Sequence, residues 1–277
     1  MNKKIKIRWT NIIMSIIFVV SLFGLIYSGF KIVKWFISSN EIDNQVEEIN
    51  KTIEIVEVKE EDEKVEIVNP PKEEDKTNPY WDYIKMNLIN VDFKELKKTN
   101  SDVKGWIQVN GTNINYPFVQ AKDNDYYLKR ALDKTYNEAG WIFLDYRNNI
   151  DLLDKNNILY GHGRLDNTMF GSLKNILKSN WYKNSDNYII KLSTEKANTM
   201  WQVFSVYHIP TTSDYLQTKF NSDEEYMKFL KMLYKRSEYD FKINFSKEDK
   251  ILSLSTCYNN DKERVVMHAK LIKIQNR

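Results

Sequence analysis

The segment ILSLSTCYNNDKERVVMHAKLIKI, residues 251–274, sets both the fold and the chemistry that the chain can carry. Two runs rich in Leu, Ile and Val, each short enough to be a strand, flank six turn-like residues. The pattern predicts a β-hairpin in which Cys257 ends the first strand and Arg264 opens the second. Cys257 and Arg264 would then face each other at the mouth of the hairpin. A thiol beside a fixed positive charge is a recognised way to make a nucleophile.

Charge divides the 277-residue chain into three parts. Residues 1–40 carry a net charge of +6, residues 41–76 carry −9, and residues 77–277 carry +6. The last part has about 200 residues, enough for one domain with a sizeable core. Its basic residues are dispersed and form no stripe, so the composition argues against a nucleic-acid partner.

Residues 9–30 contain no charged side chain and predict a membrane anchor. As a helix they would span about 33 Å, enough to cross a bilayer. A buried core helix would show a polar face, and a cleaved signal peptide would have a shorter apolar region followed by small residues. Four basic residues lie in the tail at 1–8 and only two closely follow the span. The positive-inside rule therefore predicts a cytoplasmic N-terminus and an extracellular domain in the cell membrane.

Residues 31–79 predict a charged stalk between the anchor and a domain at 80–277. From residue 41 to residue 76 the chain lacks aromatic residues and is dominated by Glu and Lys, which favours an extended, self-repelling tether. A charged helix continuing from the membrane is the alternative, because Val46, Ile49, Ile53 and Val56 recur at helical spacing.

The domain is predicted to be mainly β, a closed or nearly closed β-barrel of seven or eight short strands with added helices. Asn110–Gly111 between two β-rich runs is a strong hairpin signal. Ser222 with Glu225 predicts the start of an amphipathic helix. Shorter helices are expected from Asp92 to Asn100 and near Met169–Lys178. The other predicted strands are Trp141–Asp145, Asn157–Tyr160, Tyr188–Leu192 and Met200–Ile209.

The chain has three histidines, and their sequence contexts differ. His208 and His268 lie within predicted strands, where a structural role is expected. His162 follows the predicted strand Asn157–Tyr160 and stands between two glycines, which free the backbone and clear space around the ring. Loops at strand ends commonly present catalytic groups. His162 is therefore the candidate acid/base.

Cys257, His162 and Arg264 together predict acyl transfer through a thioester. An imidazolium or guanidinium nearby raises the thiolate fraction of a cysteine, and the thiolate is the attacking species. A histidine can protonate the leaving amine and then activate an incoming nucleophile. Arginine can hold the oxyanion, helped by the backbone N–H of Tyr258. The sequence contains no zinc-type ligand spacing, phosphate loop or dinucleotide fingerprint, so no metal or cofactor is expected.

These residues resemble the signature of the sortases, a family of transpeptidases with TLxTC on one strand and an arginine opening the next. Here the signature is SLSTC at residues 253–257, followed by Arg264. Segments 105–148, 156–175 and 204–220 are similar to class B members of the family, in the same order. The resemblance covers residues 80–277.

The resemblance implies an eight-stranded sortase barrel and an enzyme that cleaves a C-terminal sorting signal of NPxTN type on surface proteins. Cys257 would attack the threonine carbonyl, and an amine of the peptidoglycan cross-bridge or its lipid-linked precursor would resolve the thioester. His162, Cys257 and Arg264 match the catalytic positions of the family. The peptide groove would include Asn124, Leu128, Thr211, Tyr215 and Ser255.

Three positions depart from the usual pattern of the family. Ser253 replaces a threonine, Gly163–Arg164 replaces Asn–Met after the histidine, and Asn259 replaces an acidic residue. These departures leave the chemistry intact and bear on peptide preference.

Other functions remain open at this point. A cysteine hydrolase would use water in place of an amine, although the papain-type sequence around the cysteine is absent. A non-catalytic binding module on a stalk would not need the thiol. A pilus-assembling sortase would join protein subunits through a lysine.

Overall fold

A computed structural model describes residues 8–58, 65–71, 77–258 and 262–277, and the side chains of Cys257 and Tyr258 lie outside that description. The described helices are α1 (Trp9–Thr52), α2 (Tyr80–Tyr83), α3 (Lys94–Thr99), α4 (Ser179–Tyr182) and α5 (Asp223–Lys235). The described strands are β1 (Ile55–Val58), β2 (Val65–Ile67), β3 (Leu88–Val91), β4 (Val103–Val109), β5 (Asn115–Val119), β6 (Phe143–Leu144), β7 (Asn156–Gly161), β8 (Ile189–Thr194), β9 (Ala197–Pro210), β10 (Ile251–Tyr258) and β11 (Glu263–Asn276). Short 3₁₀ helices occupy Tyr126–Lys129, Gly171–Leu177 and Ser185–Tyr188.

Eight strands form a closed barrel. Neighbouring strands follow the order β10, β7, β6, β5, β4, β8, β9, β11, and the β10–β11 pairing closes the ring. Only two of these pairings, β5 with β6 and β7 with β10, are parallel. Because the barrel is closed, each of the eight strands is paired on both sides and none has a free edge. The predicted eight-stranded barrel is confirmed.

Helix α5 covers one face of the barrel as its sequence pattern predicts. The Ser222 side chain accepts a hydrogen bond from the Glu225 N–H, so the predicted cap is present. One face of the helix is buried with Phe204 of β9 and Ile251 of β10 in a single apolar cluster. The buried residues of α5 are Tyr226, Phe229, Leu230 and Leu233.

Helix α1 continues well past the apolar segment and packs against the barrel. It runs 44 residues from Trp9 to Thr52. Residues 9–37 are mostly exposed, and Ser38, Ser39, Ile42 and Ile49 are buried. The first part of the segment that was expected to be a tether is therefore helical, which was the alternative prediction. Ile42 and Ile49 of this helix pack into the main core.

Two strands between the helix and residue 80 also attach to the folded domain. β1 pairs with β3, and β2 pairs with the end of β11. Packing against the domain thus begins before residue 80, because β1 forms a separate two-stranded sheet with β3 and β2 lies beside the end of β11.

Two of the shorter helices differ in detail from the sequence-based expectation. The helix near Met169–Lys178 is a 3₁₀ helix at Gly171–Leu177. The helix expected from Asp92 starts at Lys94, whose N–H donates to the Asp92 side chain over 2.9 Å.

Candidate active site

The hairpin at the C-terminus brings Cys257 and Arg264 into register. β10 and β11 are antiparallel, and the two residues are directly paired across the strands. This confirms the predicted hairpin. Arg264 is half-buried, and its guanidinium donates to the Glu263 carbonyl over 3.0 Å.

The parallel pairing of β7 with β10 brings His162 beside the same strand end. Thr256 pairs with Gly161, the last residue of β7. His162 is the next residue after Gly161, just as Cys257 is the next after Thr256. Register alone therefore places the histidine and cysteine backbones at the same end of two neighbouring strands.

The His162 ring is held by a backbone carbonyl. Its Nε2 lies 2.7 Å from the carbonyl oxygen of Leu128, so Nε2 carries a proton and donates it. The other ring nitrogen, Nδ1, is then the one that can exchange a proton in a reaction. This tautomer suits a histidine that serves as an acid and a base.

A glycine that the sequence analysis did not single out packs against this ring. Gly140 has φ of +61°, and a Cβ there would lie 2.6 Å from the Tyr127 carbonyl oxygen and 3.0 Å from Cδ2 of His162. The space left by Gly161 is instead taken by Phe170. The expectation that Gly161 clears space around the imidazole is therefore wrong, because Phe170 packs there, and Gly140 is the glycine that lies beside the ring.

All of the predicted site residues whose side chains are described line one cleft of about 510 Å³. These residues are Asn124, Leu128, His162, Thr211, Tyr215, Ser255 and Arg264. The side chain of Cys257 and that of Tyr258 lie outside the described structure. Gly161, which precedes His162, also lines the cleft. Further lining residues that were not predicted from the sequence are Phe143, Tyr160, Thr212, Ser213, Leu216 and Thr256.

Two of the predicted groove residues bind each other. The Tyr215 hydroxyl and the Ser255 hydroxyl are 2.8 Å apart, and both residues are buried. They tie the segment after β9 to the strand that carries Cys257. Tyr215 and Ser255 therefore help to fix the shape of the cleft wall.

A buried carboxylate connects the two sides of the cleft. Asp145 is fully buried and accepts hydrogen bonds from Asn124 Nδ2 over 3.1 Å and from the Tyr160 hydroxyl over 2.9 Å. Arg147 binds it in a fork, with Nε on one oxygen at 2.8 Å and Nη2 on the other at 2.7 Å. The same Nη2 donates to the Leu216 carbonyl on the opposite wall.

This arrangement keeps Asp145 ionised. Burial alone would raise its pKa, but the hydrogen bonds from Arg147 and Tyr160 and the charge of Arg147 outweigh burial and lower it. Burial and the neighbouring Asp145 charge raise the pKa of Tyr160. Tyr160 therefore stays a hydrogen-bond donor. The Asp-x-Arg spacing after β6 was visible in the sequence, but nothing in it pointed to Leu216.

A second buried network supports the cleft wall that contains Tyr215. His268 lies between the Tyr207 hydroxyl, 2.8 Å from Nε2, and the Ser253 hydroxyl, 2.7 Å from Nδ1. Ser253 donates to Asn156, whose amide donates to the carbonyls of Tyr215 and Gln217. Burial lowers the pKa of His268 to about 3, so the ring is neutral. The structural role predicted for His268 is confirmed.

His208 lies on the outer surface of the barrel. Its Nδ1 is 2.5 Å from a carboxylate oxygen of Glu238, and the pair is partly exposed. This contact joins β9 to the segment after α5, which is also a structural role.

Comparison with known proteins identifies the family to which this barrel belongs. The family profile described as Sortase domain matches residues 107–272. The chain belongs to the sortase family, class B. Sortase B of Staphylococcus aureus is 37% identical over 189 residues, covering 67% of this chain and 77% of that protein. Sortase B of Listeria monocytogenes is 35% identical over 189 residues, covering 66% and 75%.

Solved structures of class B sortases have the same fold. Sortase B from Bacillus anthracis, solved in complex with AAEK1, has a TM-score of 0.61 and 40% identity and covers 65% of this chain and 84% of that chain. The Staphylococcus aureus sortase B–substrate complex has a TM-score of 0.61 and 38% identity, covering 65% and 85%. This sortase is therefore a cysteine transpeptidase that anchors surface proteins.

Two of the departures from the sortase pattern now have a structural setting. The hydroxyl of Ser253 is buried in the His268 network. The guanidinium of Arg164 is buried against Asp166 and against helix α1. The third departure, Asn259, lies outside the described residues.

Proposed function

We propose that this sortase is a membrane-anchored transpeptidase that cleaves an NPxTN-like sorting signal at threonine. Cys257 attacks the threonine carbonyl, the peptide bond to the next residue breaks, and a thioester forms. The amine of an acceptor then attacks the thioester and regenerates the thiol. The observation that carries the proposal is that His162, Arg264 and the expected peptide-binding residues share one cleft.

His162 transfers the protons of both steps. In the first step it protonates the leaving amine, and in the second it takes a proton from the incoming amine. Because Nε2 is bound to the Leu128 carbonyl at 2.7 Å, Nδ1 is the nitrogen that serves this role. The Leu128 bond also keeps the ring in one orientation during both steps.

Arg264 stabilises the oxyanion of each tetrahedral intermediate. Its charge is permanent and its donors are arranged in a planar fork. Its place beside the end of β10 and its position along the cleft support this role. The backbone N–H of Tyr258 acts at the same oxygen. Such donors contribute most when they are fixed before the reaction begins.

The sorting signal binds along the cleft between two walls. Asn124 and Leu128 contribute to one wall, and Thr211 contributes to the other. Tyr215 and Ser255 also line the cleft, where their hydroxyls bind each other and both residues are buried. The polar groups along the cleft suit the Asn and Thr of the signal.

Residues 9–30 anchor the enzyme in the membrane. Helix α1 contains an 18-residue window of mean hydropathy 2.3 that is entirely exposed, and it is the one helix of the described residues with these properties. With the basic tail at 1–8 in the cytoplasm, the barrel lies on the cell-wall side. The partners are surface proteins with a C-terminal sorting signal.

The acceptor is an amine of the peptidoglycan cross-bridge or of its lipid-linked precursor. Ser38 already contacts the barrel, and it lies eight residues beyond Phe30. On a continuous helix this is a rise of about 12 Å. The barrel is thus held close to the bilayer, which favours the lipid-linked form.

The test uses the full chain in detergent or lipid nanodiscs, with NPxTN-like peptides and a glycine-based amine. We expect a thioester on Cys257 and an amide product that contains the amine. Hydrolysed peptide as the only product, with the amine present in excess, would favour a cysteine hydrolase. Transfer to lysine of a protein subunit in preference to the glycine-based amine would favour a pilus-assembling enzyme.

A further inference from the structure

Helix α1 contacts both of the segments that flank the His162 ring. One is the loop at residues 163–169, which follows the histidine directly. The other is the turn at residues 137–140, which packs against the ring through Gly140. The contacts come from one stretch of the helix, Trp35–Ser39, at the point where its surface changes from exposed to buried.

The first contact is between a hydroxyl of the helix and an ion pair, in which the hydroxyl is hydrogen-bonded to both charged side chains. Arg164 binds Asp166 with Nη2 2.7 Å from the carboxylate. The Ser39 hydroxyl donates to the same carboxylate over 2.6 Å and accepts from Arg164 Nη2. The guanidinium also lies over the Trp35 ring, 5.7 Å from its centre. Arg164 is only 9% exposed, so most of the guanidinium is covered, whereas Asp166 is partly exposed.

The second contact leads to the ring of His162 through a short turn. The Ser38 hydroxyl donates to Asn137 Oδ1 over 2.5 Å, and Asn137 Nδ2 donates back to the Ser38 carbonyl over 3.2 Å. The Asn137 carbonyl in turn accepts from the Gly140 N–H. A Cβ on Gly140 would lie 2.8 Å from the Leu128 carbonyl oxygen and 3.0 Å from Cδ2 of the imidazole, so the turn lies beside both partners of the His162 hydrogen bond.

The loop after His162 has a conformation that needs support. Asn167 and Met169 both have positive φ, 65° and 50°, which is unfavourable for a side chain such as methionine. Such strain persists where surrounding contacts fix the backbone. The loop is closed by the Phe170 N–H, which donates to the His162 carbonyl over 3.1 Å. A change in the loop would therefore reach the histidine backbone directly.

The ion pair is present at neutral pH. Burial alone would raise the pKa of Asp166, but hydrogen bonds from Arg164, Ser39 and Thr168 lower it well below its ordinary value. The nearby Asp43 has a raised pKa, caused by burial and the Asp166 charge and opposed by Arg164. Arg164 thus lowers the pKa of Asp166 through hydrogen bonds, and its positive charge opposes the rise in the pKa of Asp43.

We propose that Trp35, Ser38 and Ser39 of the anchor helix form, with Asn137, Arg164 and Asp166, an anchor latch that positions His162. The inference rests on the proposed function, in which His162 moves the protons. Under it, the membrane helix is part of the support of the active site and does more than attach the enzyme to the bilayer. All six are positioning residues and none touches the substrate.

The test compares Ser39→Ala with Thr52→Ala in the full chain in nanodiscs. Both changes remove one hydroxyl from α1, but Thr52 bonds only to carbonyls of its own helix. For Ser39→Ala we expect kcat to fall about tenfold, because a small misplacement of a catalytic group is costly. KM for the peptide should stay within about twofold, because the cleft walls are untouched. Thr52→Ala should match the wild type in both.

A double-mutant cycle separates positioning from general stability. Asp166→Asn should lower kcat to a similar extent, and the Ser39→Ala/Asp166→Asn double variant should be little worse than either single variant. Rates are normalised to the amount of folded enzyme, so loss of folded protein does not enter them.

The possible outcomes are distinct. An active wild type whose Ser39→Ala and Asp166→Asn variants both keep kcat within about twofold would overturn the latch. So would additive effects of the two changes, or effects confined to KM. A wild-type chain that forms no thioester would overturn the proposed function, and the latch with it.

Discussion

The Nε2 atom of His162 lies 2.7 Å from the carbonyl oxygen of Leu128, which fixes both the ring orientation and its tautomer. The two residues are 34 positions apart, Leu128 in the 3₁₀ helix Tyr126–Lys129 and His162 directly after β7. A backbone acceptor cannot rotate away as a side chain can, so the imidazole is oriented before any substrate binds. In the proposed role of His162, the nitrogen that exchanges protons is therefore Nδ1, because Nε2 is bound to the Leu128 carbonyl.

Replacing Gly140 by alanine should disturb this relationship. The residue has φ of +61°, and a Cβ would lie 2.8 Å from the Leu128 carbonyl oxygen. We expect a loss of about 1–3 kcal/mol in the free energy of unfolding. Thioester formation, measured by mass spectrometry on folded enzyme, should slow about tenfold or more because the carbonyl must move.

Gly111→Ala is the matched control for Gly140→Ala. Gly111 has φ of +68°, and a Cβ there would meet Asn187 at 2.4 Å, away from the residues that line the cleft. It should lose comparable stability and keep the wild-type rate of thioester formation. Equal rates for Gly140→Ala and Gly111→Ala would show that the Leu128 carbonyl does not position the histidine.

Arg264→Lys should impair catalysis severely although it keeps the positive charge. An ammonium group is a point charge and does not reproduce the fork of donors. Loss of an oxyanion donor lowers kcat by about 100-fold or more. Single-turnover acylation measures the effect directly.

Arg277→Lys controls for the Arg264 substitution itself. Arg277 donates to the Val91 and Thr194 carbonyls and does not line the cleft. Its lysine variant should acylate at the wild-type rate. Near-normal acylation by Arg264→Lys would remove arginine from the oxyanion role.

Asp145→Asn should loosen both walls of the cleft. The change removes the negative charge that the exposed guanidinium of Arg147 binds in a fork, so this contact between the two walls weakens. We expect KM for the peptide to rise more than kcat falls, because Asn124 and the Leu216 carbonyl lose their common support. Asp151→Asn, at an exposed position in the same loop, should change neither parameter. A larger effect on kcat than on KM would assign Asp145 a role in the chemistry.

His268 should make the fold sensitive to acid. Its pKa is about 3 in the folded chain and about 6.5 in the unfolded chain, so the unfolded state binds the extra proton as pH falls. Stability is therefore lost below pH 6.5, by about 2 kcal/mol between pH 6.5 and pH 5.0. Chemical unfolding of the full chain at the two pH values should show this loss in the wild type. His268→Gln should lack it, and an equal loss in both proteins would contradict the assignment.

The strands could be predicted because their signals are local. Asn110–Gly111 marked the β4–β5 turn, and the apolar runs around Cys257 and Arg264 marked the last hairpin. The docking of α1 could not be predicted in the same way. The first part of the segment has too few apolar residues to decide between a tether and a helix, and the barrel surface that buries Ile42 and Ile49 exists only after folding.

The candidate site was predictable where chemistry limits the choice of residue. With one cysteine and three histidines, few reactive combinations were possible, and His162 stood apart by its glycines. The residues that support the site could not be predicted, because their contacts join positions that are far apart in the sequence. Asp145 contacts Asn124 from 21 positions away, and Arg147 reaches Leu216 from 69 positions away. The need for glycine at position 140 depends on the nearby Leu128 carbonyl, whose position is known only from the folded structure.

The central claim is that Cys257 forms a thioester with a sorting signal and passes it to an amine. Intact-mass analysis of the full chain with an NPxTN-like peptide, before and after addition of a glycine-based amine, tests this most directly. We predict that the wild type gains the mass of the peptide up to its threonine and loses it again as an amide product, whereas Cys257→Ala gains nothing. A wild type that never gains this mass, or a Cys257→Ala chain that still makes the amide product, would contradict the account.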